Sequence, residues 1–205
     1  MKLRLTLAAA AAALAFSGAA LADITIGVSL PLTGPASGLG IPMNNQIKLW
    51  PTSIAGEKLK VIVLDDATDP TAGVKNARRF VTEDKVDVIV GSAATPVGIA
   101  MADVALESKT VQLVASPVGL PPGKDAWTFR LPQSNNVMAY AVANHMKKMG
   151  VKTVGFIGYT DAYGEQWLQA FTAEGEKQGI KIIAAERFAR ADTSVTAQAL
   201  KLVAA

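Results

Sequence analysis

The sequence contains no cysteine, which removes disulfide bridges, thiol catalysis and a lipid-bearing cysteine anchor from consideration. Histidine occurs once, as His145. With no second histidine and no thiolate to share a metal, it reads as an ordinary helix residue beside Asn144 and Met146. The elements of a hydrolase are also missing. Ser92 sits in Gly91-Ser92-Ala93-Ala94-Thr95, not in a G-x-S-x-G elbow, and no Ser/His/Asp order presents itself. Gly38-Leu39-Gly40 begins a dinucleotide fingerprint, but Met43 stands where the third glycine belongs. Asp65, Asp66 and Asp69 match neither an EF-hand nor a two-metal spacing. The expectation is a protein without cofactor or metal, and not an enzyme.

A surplus of one charge is missing as well. The whole chain carries 20 Lys+Arg against 17 Asp+Glu; without Lys2 and Arg4 the balance is 18 to 17, a net charge of +1. No basic face is left for nucleic acid to bind. Those two residues open a stretch of a different kind, in which a basic start leads into an alanine-rich apolar run closing with Ala20-Leu21-Ala22. These are the three parts of a secretory signal, with cleavage expected before Asp23. Residues 1–22 are therefore assigned to a signal peptide, and no later run is long and apolar enough to span a membrane. An exported, periplasmic protein is expected.

The full chain of 205 residues is 50% hydrophobic and 18% charged, enough to build a sizeable core. Apolar, β-branched runs at 24–30, 58–64, 86–90 and 111–115 alternate with helical stretches at 41–50, 70–83 and 96–107. Asp69 followed by Pro70 marks a helix start, as N-cap and first helical residue. Such alternation implies a parallel, doubly wound α/β sheet with ligands beyond the carboxyl ends of its strands. After a Gly/Pro-rich loop at 119–123 and a short strand at 127–131, the pattern restarts. It gives a helix to Met149, a strand at 153–157, a helix at 163–178, a strand at 180–186 and a helical stretch from Thr193. The expected organisation is lobe 1 at 23–131 and a partial lobe 2 at 132–205. Two strands do not close the core of such a lobe, so the second unit is expected to be incomplete at Ala205 and the chain alone to bind weakly or be unstable.

The most informative stretch is VDVIVGSAATP, residues 86–96. A buried strand ends at Gly91 and a helix begins near Pro96, so the backbone N–H groups between them can seat an anion. From spacing alone, Thr95 is either part of that seat or merely a helix cap.

The chain resembles the type I periplasmic solute-binding proteins of ABC transporters, in the branch of the leucine/isoleucine/valine-binding protein. The resemblance covers essentially all of 23–205. It rests on IGVSLPLTGPASGLG, LDDATDP, the VGSAATP loop, LVASP, FRLPQSN and GFIGYTDAYGE, in that order. It implies capture of a small solute between two hinged lobes and its delivery to a membrane permease by a monomeric protein. A sensory module of the same fold is the alternative.

Residue by residue, the resemblance implies a carboxylate seat at Ser92, Ala94 and Thr95. Val118, Gly119 and Leu120 fall where relatives help hold the solute's amino group, but Leu120 replaces a threonine and cannot accept a hydrogen bond. Leu39 falls where many relatives present an aromatic ring. Tyr163 matches the tyrosine that faces the solute across the cleft, with Tyr159 and Asp161 as lesser candidates. The implied solutes are branched-chain amino acids or related carboxylates, with aromatic or aliphatic acids as the alternative.

Overall fold

The computed structural model describes residues 23–205; the signal-peptide assignment and its cleavage point lie outside the described residues. Strand β1 (Ile24–Leu30) is central. It pairs in parallel with β3 (Glu57–Asp65) on one side and β4 (Val88–Gly91) on the other, with Ile26 opposite both Val61 and Val88. Strands β5 (Val111–Val114) and β6 (Thr128–Arg130) extend the parallel sheet, giving the order β2-β3-β1-β4-β5-β6. The antiparallel strand β2 (Ser53–Ile54) was not expected from the sequence. Ala55 and Gly56 both take positive φ, the combination that turns a two-residue hairpin back along its partner.

The sheet is buried on both faces because neighbouring residues of each strand serve opposite cores. Ile89, Ile62 and Leu64 pack with Phe80, Val97 and Met101 under helices α2 (Pro70–Thr82) and α3 (Thr95–Ser108). Val90, Val61 and Val63 pack on the opposite face with Val28, Leu30, Met43 and Ile47, the last two from helix α1 (Ser37–Ile47). This is the period-two alternation of a doubly wound sheet. Gly27 is needed in β1 because a Cβ there would come 2.5 Å from the Phe80 ring. Helix α1 begins four residues earlier than expected and runs through Pro42. Asp69 caps α2 by accepting from the Thr71 N–H at 2.7 Å.

After β6 the chain crosses through 131–134, and Ser134 caps helix α4 (Asn135–Lys148). Strands β7 (Thr153–Tyr159) and β8 (Lys181–Phe188) form a second, two-stranded parallel sheet. Helix α5 (Ala162–Gln178) joins them, and α6 (Thr196–Val203) follows. Ala139 and Ala143 of α4, Ala170 and Phe171 of α5 and Ile180 make its core. Among the described residues no helix is long and apolar enough to cross a membrane.

Candidate functional site

The carboxyl ends of β1, β3 and β4 meet at three short segments. Asp65 and Asp66 close β3, and Asp66 is fully buried, accepting from the Ser29 hydroxyl at 3.1 Å and the Thr68 N–H at 3.1 Å. Burial pushes its carboxyl above the ordinary range, against the pull of the Ser92 hydroxyl, the Thr68 amide and the Ser29 hydroxyl. Its neighbour goes the other way. Burial would raise Asp65 too, but together the hydroxyl and amide of Thr33 and the amides of Ala67 and Leu32 hold it below the usual value.

The loop after β4 is fixed from beneath. Gly91 takes φ +116°, and a Cβ there would run into the Ser29 carbonyl, so only glycine suits the position. Gln112, fully buried on β5, donates to the Gly91 carbonyl at 2.9 Å and the Gly98 carbonyl at 3.1 Å, and accepts from the Thr128 hydroxyl at 3.0 Å. The loop therefore has one rigid course from strand end to helix start. Ser92, Ala94 and Thr95 are all buried, and the Ala94 N–H donates to Ser92 Oγ at 3.2 Å. Ala94, not Thr95, occupies the N-cap position of α3, without a side-chain cap bond. Thr95 is the first helical residue, and its N–H is one of those a helix leaves unpaired.

The loop after β5 carries Val118, Gly119 and Leu120 toward the second sheet. The Val118 N–H donates to the Ser116 carbonyl at 2.8 Å, and its own carbonyl accepts from Arg130 Nη1 at 2.9 Å. Gly119 is met by Gln166 of α5, whose Oε1 accepts from the Gly119 N–H at 3.1 Å and whose Nε2 donates to the Gly119 carbonyl at 3.3 Å. Tyr163 lies three residues before Gln166, hence on the same helix face.

Across the start of α5 the aromatic residues gather. Asp161 caps the helix, accepting from the N–H groups of Tyr163 and Gly164, and pairs with Arg190 Nε at 2.5 Å. The Arg190 guanidinium lies 4.1 Å from the Tyr159 ring centre and 5.7 Å from that of Tyr163. Tyr159 in turn stacks at a tilt on Phe188, 4.7 Å between centroids.

Three cavities border these residues. One of about 260 Å³ is lined by Val118, Gly119, Arg130, Asn135, Gln166 and Gln169. A second of about 510 Å³ touches Val118, Leu120, Phe129 and Arg130. A third of about 310 Å³ is aromatic, with Phe156, Tyr159, Tyr163, Trp167 and Phe188. None of the three is lined by Ser92, Ala94, Thr95 or Leu39; Leu39 is half exposed on α1. The structure thus brings Gly119 against the Tyr163 helix, while the 92–95 loop is a buried, rigid neighbour. Gln112, Gln166 and Arg190 went unnoticed in the sequence. Nothing in a local motif marks a glutamine whose partners are 14 to 47 residues away.

The chain is similar to known proteins along its whole described length. A family model described as periplasmic binding protein matches residues 23–205. The Leu/Ile/Val-binding protein homolog 3 of Brucella melitensis is 32% identical over 210 residues, covering 95% of this chain and 55% of that protein. The crystal structure of an extracellular ligand-binding receptor from Rhodopseudomonas palustris HaA2 matches with a TM-score of 0.86 at 47% identity, over 89% of this chain and 51% of that one. A solute binding protein of an ABC transporter from R. palustris BisB5, in complex with 3,4-dihydroxy benzoic acid, matches with a TM-score of 0.78 at 26% identity, over 87% of this chain and 51% of that one. The chain spans about half the length of the curated relatives and solved structures it matches.

Proposed function

Since the chain belongs to the periplasmic binding protein family, in the branch of the Leu/Ile/Val-binding proteins, we propose that it is the solute-capturing component of an ABC uptake system for small carboxylates. The family is one of solute-binding proteins, not enzymes. In this reading residues 1–22 direct export to the periplasm, residues 23–131 form one lobe and 132–205 belong to the other. A membrane permease receives the solute.

The observation that carries the reading is the meeting of the β5 loop with helix α5. Gly119 and Gln166, 47 residues apart, are joined by two hydrogen bonds, so the strand ends of the first sheet face the helix start that follows β7. A solute held between those walls touches both units, and only such a solute stabilises their approach. The seat for its carboxylate is the 92–95 loop, where the N–H and hydroxyl of Thr95 are the donors on offer, the Ser92 hydroxyl being shared with Asp66. Leu39 and Leu120 offer hydrocarbon, and Tyr163 and Tyr159 offer rings to cover an apolar body. Micromolar affinity, about −8 kcal/mol, suffices for scavenging and still permits release.

Two solute classes fit, branched-chain amino acids and aromatic or aliphatic acids. Relatives whose names refer to Leu/Ile/Val binding support the first; the R. palustris protein in complex with a dihydroxybenzoic acid supports the second. A thermal-shift screen of both classes, followed by calorimetry and product analysis, tests the proposal. We expect at least one carboxylate to raise the melting temperature and to be recovered unchanged. At a hundredfold excess over its Kd the stabilisation is about 2.7 kcal/mol. Silence across both classes, or turnover of the bound acid, overturns it.

A further inference from the structure

In the wall formed by Val118, Gly119 and Leu120, the backbone groups of the first two residues are already engaged. The Val118 N–H is committed to the Ser116 carbonyl and the Val118 carbonyl to Arg130. Gly119 has no side chain, and its two backbone groups are both taken by the carboxamide of Gln166. The side chains that remain, from Val118 and Leu120, accept no hydrogen bond.

A backbone carbonyl next to an N–H is a natural grip for an α-amino acid, the carbonyl accepting from the ammonium and the amide donating to the carboxylate. A primary carboxamide matches the same pair, one acceptor and one donor on a planar group, but carries no charge. Its approach depends on glycine. A Cβ at residue 119 would lie 3.3 Å from both Cδ and Nε2 of Gln166, tighter than ordinary van der Waals contact. Among the described residues, these two bonds are also the only side-chain hydrogen bonds that join residues 23–131 to residues 132–205.

We propose that Gln166 determines specificity: by occupying both backbone groups of Gly119 it denies them to a solute ammonium, so the pocket selects carboxylates that lack an α-amino group. The inference rests on the solute-binding reading above and narrows it to one of its two classes. An ammonium brought against Gly119 would lose water and find the carbonyl already accepting from Gln166 Nε2, whereas a methylene in its place loses nothing. Gln166 does this by holding Gly119, and the solute need not touch it.

The test compares matched pairs on the full chain by calorimetry: leucine against 4-methylpentanoate, and phenylalanine against 3-phenylpropanoate. In the unmodified protein we expect the deaminated acid to bind at least about tenfold more tightly. Gln166→Ala, which frees the Gly119 carbonyl, should shrink that preference at least about fivefold while changing affinity for the deaminated acids less than about threefold. Gln166→Leu, which keeps the bulk but removes the amide, should do the same and serves if the alanine variant folds poorly. A preference for the amino acids, or a ratio that neither variant moves, overturns the proposal. Exchange of the Gly119 amide proton separates this outcome from failure of the broader reading. It should accelerate at least about tenfold in both variants with no ligand present, and unchanged exchange overturns the Gln166 role even if no carboxylate binds.

Discussion

Asp65 and Asp66 are adjacent in sequence and opposite in chemistry. The Asp65 carboxylate collects donors from Leu32, Thr33 and Ala67, which favour its charged form, while burial of Asp66 favours the neutral one. The two therefore contribute to stability over opposite pH ranges. Asp65, with its folded-state pKa below the ordinary 3.8, adds stability that is present above that value and lost as pH falls through the folded-state pKa. Asp66, raised above 3.8, contributes below 3.8 and loses that contribution as pH rises through its folded-state value. Asp65→Asn is expected to cost about 1 kcal/mol at pH 7, since the group is exposed and its bonds are partly screened. Urea titrations of the two proteins at pH 7 and pH 3 should show the gap narrowing in acid, and an equal gap at both would contradict the assignment.

At the scale of elements, β5 does more than extend the sheet. Its Gln112 is a buried amide with three hydrogen bonds, two of them to carbonyls on either side of the α3 start. Removing the amide leaves the Gly91 and Gly98 carbonyls buried without that donor, which costs far more than the bonds themselves are worth net. Gln112→Leu, similar in size, is expected to destabilise the protein by about 2–4 kcal/mol, read by chemical denaturation. A change under about 0.5 kcal/mol would mean the loop keeps its course without the glutamine. Helix α2 shows the reverse situation. Asp69-Pro70 at its start is a local signal, readable without knowing the partner, and the helix begins where the signal places it. Helix α1 has no side-chain cap, and it begins at Ser37, four residues before the start expected from the sequence.

For the molecule as a whole, the two sheets share little. They are connected by one covalent crossing at 131–134, the contact of α3 with α5 and the Gly119–Gln166 pair, while each has its own hydrophobic cluster. Calorimetry of the ligand-free chain should accordingly depart from a single two-state transition, with amides of β7 and β8 exchanging before those of β1, β3 and β4. A calorimetric enthalpy equal to the van't Hoff value would refute that. The parallel sheet and the alternation of strands and helices were legible in the sequence because they follow from period and from caps. The two-residue β2 was too short to have a period, and the roles of Gln112, Gln166 and Arg190 depend on neighbours brought together only by folding. Arg190 has a consequence of its own, for its guanidinium lies against the Tyr159 ring while its Nε pairs with the Asp161 carboxylate that caps α5. One side chain thus ties the strand exit to a helix start and to an aromatic face, so loosening it would slacken all three together.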